Sequence, residues 1–176
     1  MKALALDLST SVGFAVGDAH APPAFGTHRL PKPGYRFDLA GPFAALDDWL
    51  GATIECLRPS LIAIEAPLLR RAGDNIRSDW NTTRLLVGLV SIAEMQARHA
   101  GVAYVEVAVT HWKQSFTGHA FADKRQVMTR CLQLGLDVRT DHESDAIGIL
   151  SHVLHAQHHP PRWDPRPTTI EHGATP

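Results

Sequence analysis

Cysteine is nearly absent: Cys56 and Cys131 are the 2 in 176 residues, each in an apolar, helix-like stretch with no Cys or His at metal-ligand spacing. Both are expected to be small buried side chains in a reducing cytoplasm rather than ligands. Charge of one sign is lacking too. Lys and Arg total 17 against 18 Asp and Glu, a formal net charge of -1, so any surface for nucleic acid has to be a local patch on a balanced background. No basic-then-apolar leader opens the chain, and no apolar run approaches the roughly 18 residues a membrane span needs. Neither export nor insertion is expected, and no internal repeat divides the sequence.

What is there is an ordinary globular composition, 44% hydrophobic and 20% charged, long enough for one sizeable core. The chain opens with Ala3-Leu4-Ala5-Leu6-Asp7-Leu8, then Ser9-Thr10-Ser11, then Val12-Gly13-Phe14-Ala15-Val16. Two β-type runs around a small polar turn predict a hairpin, with a third strand near Ala24 to Leu30. Leu39, Phe43, Leu46, Trp49, Leu50, Ile54 and Leu57 recur at helical spacing, predicting a helix over Phe37 to Leu57. Leu61-Ile62-Ala63-Ile64-Glu65-Ala66-Pro67 is continuous enough for a strand covered on both faces. Helices are expected over Thr82–His99, from Thr110, over Ala122–Leu134 and over Asp141–His155, with a strand at Val102–Val109. Residues 1–156 then form one domain and 157–176, rich in Pro, His and Arg, a disordered or loosely attached tail. Trp49, Trp80 and Trp112 are expected to be core anchors, and the histidines near the end to be helix-surface or tail residues.

Asp7 is the anomaly, a lone acid in an apolar strand that is expensive to desolvate unless it faces a cation or donors. Glu65 repeats the pattern at the end of its own strand. A third acidic setting is Asp141-His142-Glu143-Ser144-Asp145-Ala146, where Asp145 adjoins the inward stripe of Ala146, Ile149, Leu150 and Val153. Asp141 and Glu143 suit a first helical turn, where acids complement the macrodipole. Acids converging from two strand ends and a helix start are what divalent-metal chemistry on phosphodiesters needs. Hard Mg²⁺ or Mn²⁺ takes carboxylate oxygens, and paired ions can clamp the attacking and leaving oxygens. A two-carboxylate glycosidase would want an aromatic platform that this chain, with 7% aromatics, lacks. Arg70, Arg71 and Arg77 add local positive charge to the loop just beyond Glu65.

The strand ending in Asp7 and turning into Val12-Gly13-Phe14-Ala15, the strand ending Ile64-Glu65, and His142-Glu143-Ser144-Asp145-Ala146 together resemble the RuvC-type Holliday-junction resolvases. Lys113-Gln114, Gly118 and Ala122-Asp123-Lys124-Arg125-Gln126-Val127 strengthen the resemblance, matching a lysine, glycine and Ala-acid-Lys-x-Gln-Val segment in order and spacing. It runs from residue 3 to about 155.

The resemblance implies an α/β, RNase H-like fold with a five-stranded mixed sheet flanked by helices. It implies a homodimer with two Mg²⁺ or Mn²⁺ ions per site and no nucleotide cofactor, nicking four-way DNA junctions. The family's acids carry over to Asp7, Glu65 and Asp145, its fourth ligand position, Asp or His, to His142, and its basic residues to Lys113 and Lys124. Arg70, Arg71 and Arg77 become further phosphate contacts. The chain departs from the pattern at Leu68 and Leu69, where many relatives carry an aromatic, at Ala120, often Gly, and in its neutral net charge. These departures are more like the divergent versions carried by phages or prophages. Two other functional classes stand beside this reading: a branched-DNA-binding protein that has relaxed or lost catalysis, and a sugar-kinase-like phosphotransferase, whose phosphate hairpin Asp7 to Gly13 also resembles. The latter normally needs two such domains.

Overall fold

The computed structural model describes residues 1–67 and 80–165. Strand β1 (Ala3–Asp7) pairs antiparallel with β2 (Ser11–Gly17), which pairs antiparallel with β3 (Ala24–Arg29). On its other side β1 runs parallel to β4 (Leu61–Glu65), and β4 parallel to β5 (Ala103–Val107). The result is one mixed sheet in the order β3-β2-β1-β4-β5, the five-stranded arrangement expected.

The period-2 alternation of the strands sorts the core into two layers. Leu4, Leu6, Val12, Val16, Ile62 and Ile64 pack with helices α1 (Ala40–Leu57) and α2 (Trp80–Ala100). Ala3, Ala5, Ala15, Leu61, Ala63 and Val107 face the opposite way, toward α3 (Val109–Thr117), α4 (Lys124–Gln133) and α5 (Asp141–Ala156). The alanines on this second face let α5 lie close against β1 and β2. Gly13 fixes the approach: a Cβ there would stand 2.0 Å from the carbonyl oxygen of His142.

Several expectations are corrected. Helix α1 begins at Ala40 rather than Phe37, because Tyr35–Phe37 forms a separate 3-10 turn with Arg36 and Phe37 at positive φ. Cys56 is exposed, lying off the Leu46, Leu50, Ile54 stripe that faces inward. Trp80 is 72% exposed at the first position of α2, ahead of the Leu85, Leu89, Ala93, Ala97 stripe. The stretch 157–165, expected to be loose, folds back onto the domain. Trp163 is buried and donates its indole N–H to the Asp18 carbonyl at 3.0 Å, while Arg162 N–H bonds Ala19 O. Asp164 is 1% exposed and receives hydrogen bonds from Arg130 and Ser151. Among the described residues no helix is long and apolar enough to cross a membrane.

Candidate active site

Parallel pairing of β1 and β4 aligns Leu6 with Ile64, so Asp7 and Glu65, the next residue on each, end neighbouring strands roughly 5 Å apart. Alternation turns both carboxylates to the α3–α5 face. They border a cavity of about 160 Å³ that Leu8, Ala66, Pro67, Leu86 and Val90 complete.

Helix α5 supplies the third side of the site. Its start is defined by a capping box: Thr140 Oγ1 accepts from Glu143 N–H, and the Glu143 carboxylate accepts from Arg139 and Thr140 N–H. Glu143 is therefore a buried cap rather than a ligand candidate. With the first turn fixed, His142 Nδ1 meets Asp7 Oδ2 at 2.6 Å. This hydrogen bond, with the Asp7 charge behind it, holds the His142 pKa above its ordinary value against the opposing effect of burial.

One turn on, Asp145 sits among the acids. Its Oδ1 is buried and has no hydrogen-bond partner among the described residues. Burial first, then the charges of Asp7 and Glu65, push its pKa up to about 7. Glu65 is raised as well, chiefly by burial and by Asp7, while a hydrogen bond from Trp112 Nε1 to its Oε2 at 2.9 Å lowers it. Trp112 is the fully buried anchor that the sequence led us to expect. It is also a donor that positions Glu65, which the sequence did not signal. Gly148 makes room for it, since a Cβ there would lie 2.6 Å from the indole ring.

The two lysines occupy different environments. Lys113 Nζ donates to the Ala122 carbonyl at 2.9 Å, stands 5.5 Å from the Trp112 ring centroid, and its charge lowers the pKa of both Glu65 and Asp145. Lys124, exposed, pairs with Asp141, which raises the Lys124 pKa and lowers that of Asp141. Lys124 also feels the charges of Asp145 and Asp7. Asp141, whose role the sequence left open, thus faces a lysine. Arg70, Arg71 and Arg77, and the substituted Leu68 and Leu69, lie outside the described residues.

Asp7, Glu65, His142 and Asp145 are thus gathered on one side of the sheet, although among the described residues no three His, Cys, Asp or Glu side chains are placed together so as to hold an ion. Asp7 and His142 are bonded to each other instead. The residues nonetheless fit a hard divalent cation. Three carboxylates and an imidazole are suitable donors, and an orphaned buried carboxylate oxygen is a group that a cation satisfies.

The sheet order, the two helical layers and the acids at the strand ends define the RNase H-like α/β class of fold. Within that class the fold is of the RuvC type. A Thermus thermophilus RuvC structure superposes with a TM-score of 0.66 at 21% identity, covering 90% of this chain and 96% of that one. T. thermophilus RuvC in complex with Holliday junction substrate gives 0.71 at 20% identity over the same shares, 90% and 96%. The yeast mitochondrial Holliday junction resolvase gives 0.61 at 14% identity, covering 89% and 79%. No protein-family profile matches the chain, and no curated protein sequence matches it.

Proposed function

We propose that this protein is a divalent-metal-dependent endonuclease that nicks branched DNA, resolving four-way junctions as a homodimer in the cytoplasm. One observation carries the reading. Half-buried Asp145 stands in the field of Asp7 and Glu65 with its buried Oδ1 unpartnered among the described residues, an arrangement that costs folding free energy and that a bound cation would offset. The fold, shared with a resolvase whose structure was solved on a Holliday junction, supports the choice of substrate.

Asp7, Glu65 and Asp145, with His142, would hold Mg²⁺ or Mn²⁺, two ions per site. When bound, they supply Lewis-acid activation of a phosphodiester and lower the pKa of water. The chain's own residues do the rest. Trp112 holds Glu65 in one orientation through its N–H. Leu8, Leu86 and Val90 line, with Asp7 and Glu65, a cavity at the strand ends. Lys124 and Lys113 offer cations to the phosphates that flank the scissile bond, and Arg70, Arg71 and Arg77 extend that contact. His142 must be neutral to act as a donor, so the proton it shares with Asp7 competes with the ion.

The test is cleavage of an end-labelled synthetic four-way junction beside duplex, fork and single strand, with Mg²⁺, Mn²⁺ or EDTA. Paired symmetric nicks confined to the junction are expected, with Asp7→Asn abolishing cutting while DNA binding remains. Cutting spread over forks and flaps would make it a relaxed branch nuclease. Tight binding without cutting in any metal would make it a branched-DNA-binding protein, and an active Asp7→Asn enzyme would overturn the site.

A further inference from the structure

Phe121, 90% exposed, is the most exposed large apolar side chain among the described residues, and its surroundings are built to keep it so. It lies in the short connection between α3 and α4. Gly118, in the left-handed region at φ 84, ends α3, and Gln114 Nε2 donates to its carbonyl at 2.8 Å. Thr117 Oγ1 accepts from His119 N–H at 3.2 Å, and Ala122 N–H bonds His119 O at 3.1 Å. The next residue, Ala122, is buried in the core, and its carbonyl receives Lys113 Nζ. Asp123 then caps α4 through a reciprocal bond pair with Gln126. Both flanks are pinned inward, so the ring is displayed on a fixed turn at little entropic cost to a ligand.

The charge around that ring is specific. Lys113 Nζ reaches the carbonyl of the adjoining residue. Lys124 is three residues on, no more than about 11 Å along the chain, and feels the acids of the site. Beside the turn, His119, Arg125 and Arg130, together with the acid Asp123, help line an open cavity of about 380 Å³ that the Phe121 ring does not itself line. An exposed aromatic ring on a turn flanked by Lys113, whose charge acts on Glu65 and Asp145, and by Lys124, which pairs with Asp141, suits a polyanion that carries π faces. Single-stranded nucleic acid meets that description, since base–aromatic stacking accepts any base while lysines track the backbone.

We propose that Phe121 is a base-stacking residue, taking an unpaired nucleobase beside the branch point while Lys113 and Lys124 hold the adjacent phosphates. This rests on the branched-DNA reading above and deepens it. Phe121 sets which DNA is held, and it touches no reacting atom.

The test is binding of the full-length protein, in EDTA to prevent cutting, to a four-way junction, an open single strand and a matched duplex, with 2-aminopurine placed in turn at positions around the branch. Wild-type protein is expected to bind the junction and change 2-aminopurine emission at one position. Phe121→Ala is expected to weaken junction and single-strand binding about 5- to 150-fold, abolish that emission change, and leave duplex affinity alone. Phe121→Trp should restore both. Because stacking releases no counterions, the slope of affinity against salt should stay the same in Phe121→Ala. An unaltered thermal melt excludes misfolding, which the exposure of the ring already makes a minor concern. If wild type binds branched DNA and Phe121→Ala binds it equally, this inference falls and the nuclease reading stands. If wild type distinguishes no branched or single-stranded DNA from duplex, both fall.

Discussion

Two aspartates that place a carboxylate oxygen in the interior, Asp145 on α5 and Asp164 packed against it, show opposite solutions to one problem. Asp164, 1% exposed, is met by the Arg130 guanidinium and the Ser151 hydroxyl, so its charge is compensated where it lies. Asp145, in the second turn of α5, has one oxygen without a partner among the described residues and three more carboxylates, Asp7, Glu65 and Asp141, in its field. The first arrangement tethers residues 157–165 to the domain. The second holds electrostatic repulsion that a bound proton relieves below about pH 7 and that, in the reading proposed above, a cation relieves above it.

The comparison can be broken most directly at Asp145. Asp145→Asn is expected to reduce junction cleavage on the order of a thousandfold or more, yet to raise the melting temperature of the metal-free protein at pH 8. The sign follows from the raised pKa. Between the ordinary carboxylate value of 3.8 and about 7 the folded state holds a proton that the unfolded chain releases. Stability therefore falls as pH rises through that window, by roughly 2–4 kcal/mol. His142, also raised in the fold, adds loss in the same direction as pH climbs past its folded value. Metal-free melts from pH 4 to 8 should slope downward in the wild type, less so in Asp145→Asn, and flatten when Mn²⁺ is added. A flat metal-free profile would remove the distinction between the two aspartates.

Asp164→Ala should do the reverse. It leaves a partly buried Arg130 without its partner and is expected to cost about 3–5 kcal/mol in urea unfolding, while cleavage well below the melting temperature stays near wild type. Lys124→Ala is smaller, roughly 10- to 100-fold in single-turnover cleavage with a lesser effect on binding. Proportional losses in both would make Lys124 a phosphate anchor alone. Trp112→Phe is smaller still. It keeps the core ring and removes the donor that lowers Glu65, so the acidic limb of the cleavage–pH profile should move to higher pH.

Much of this site is legible in local pattern. Ala-Leu-Ala-Leu-Asp and Leu-Ile-Ala-Ile-Glu each place an acid after an apolar run, and the period of a strand puts it on the face of its alanines. The apolar stripe of α5 likewise puts Asp145 beside the core. For the adjacent His142 and Glu143 the sequence offered a site position by resemblance and a first-turn acid, but not the partner of either. One reaches Asp7 and the other caps its own helix, and nothing in composition separates them. Exposed Trp80 and Cys56 escaped for a related reason, since membership of a helix is local but the inward face is not.

The sequence by itself determined the elements, their order and the three positions where a carboxylate interrupts an apolar surface, because these depend on periodicities of two and 3.6 residues. Only the tertiary structure decided what each acid meets. Asp7 finds a histidine 135 residues away and Glu65 an indole 47 residues away, Asp164 finds Arg130, 34 residues back, and one Asp145 oxygen finds no partner among the described residues. Hydrogen bonds and charges act over a few ångströms in space, and distance along the chain does not encode that proximity.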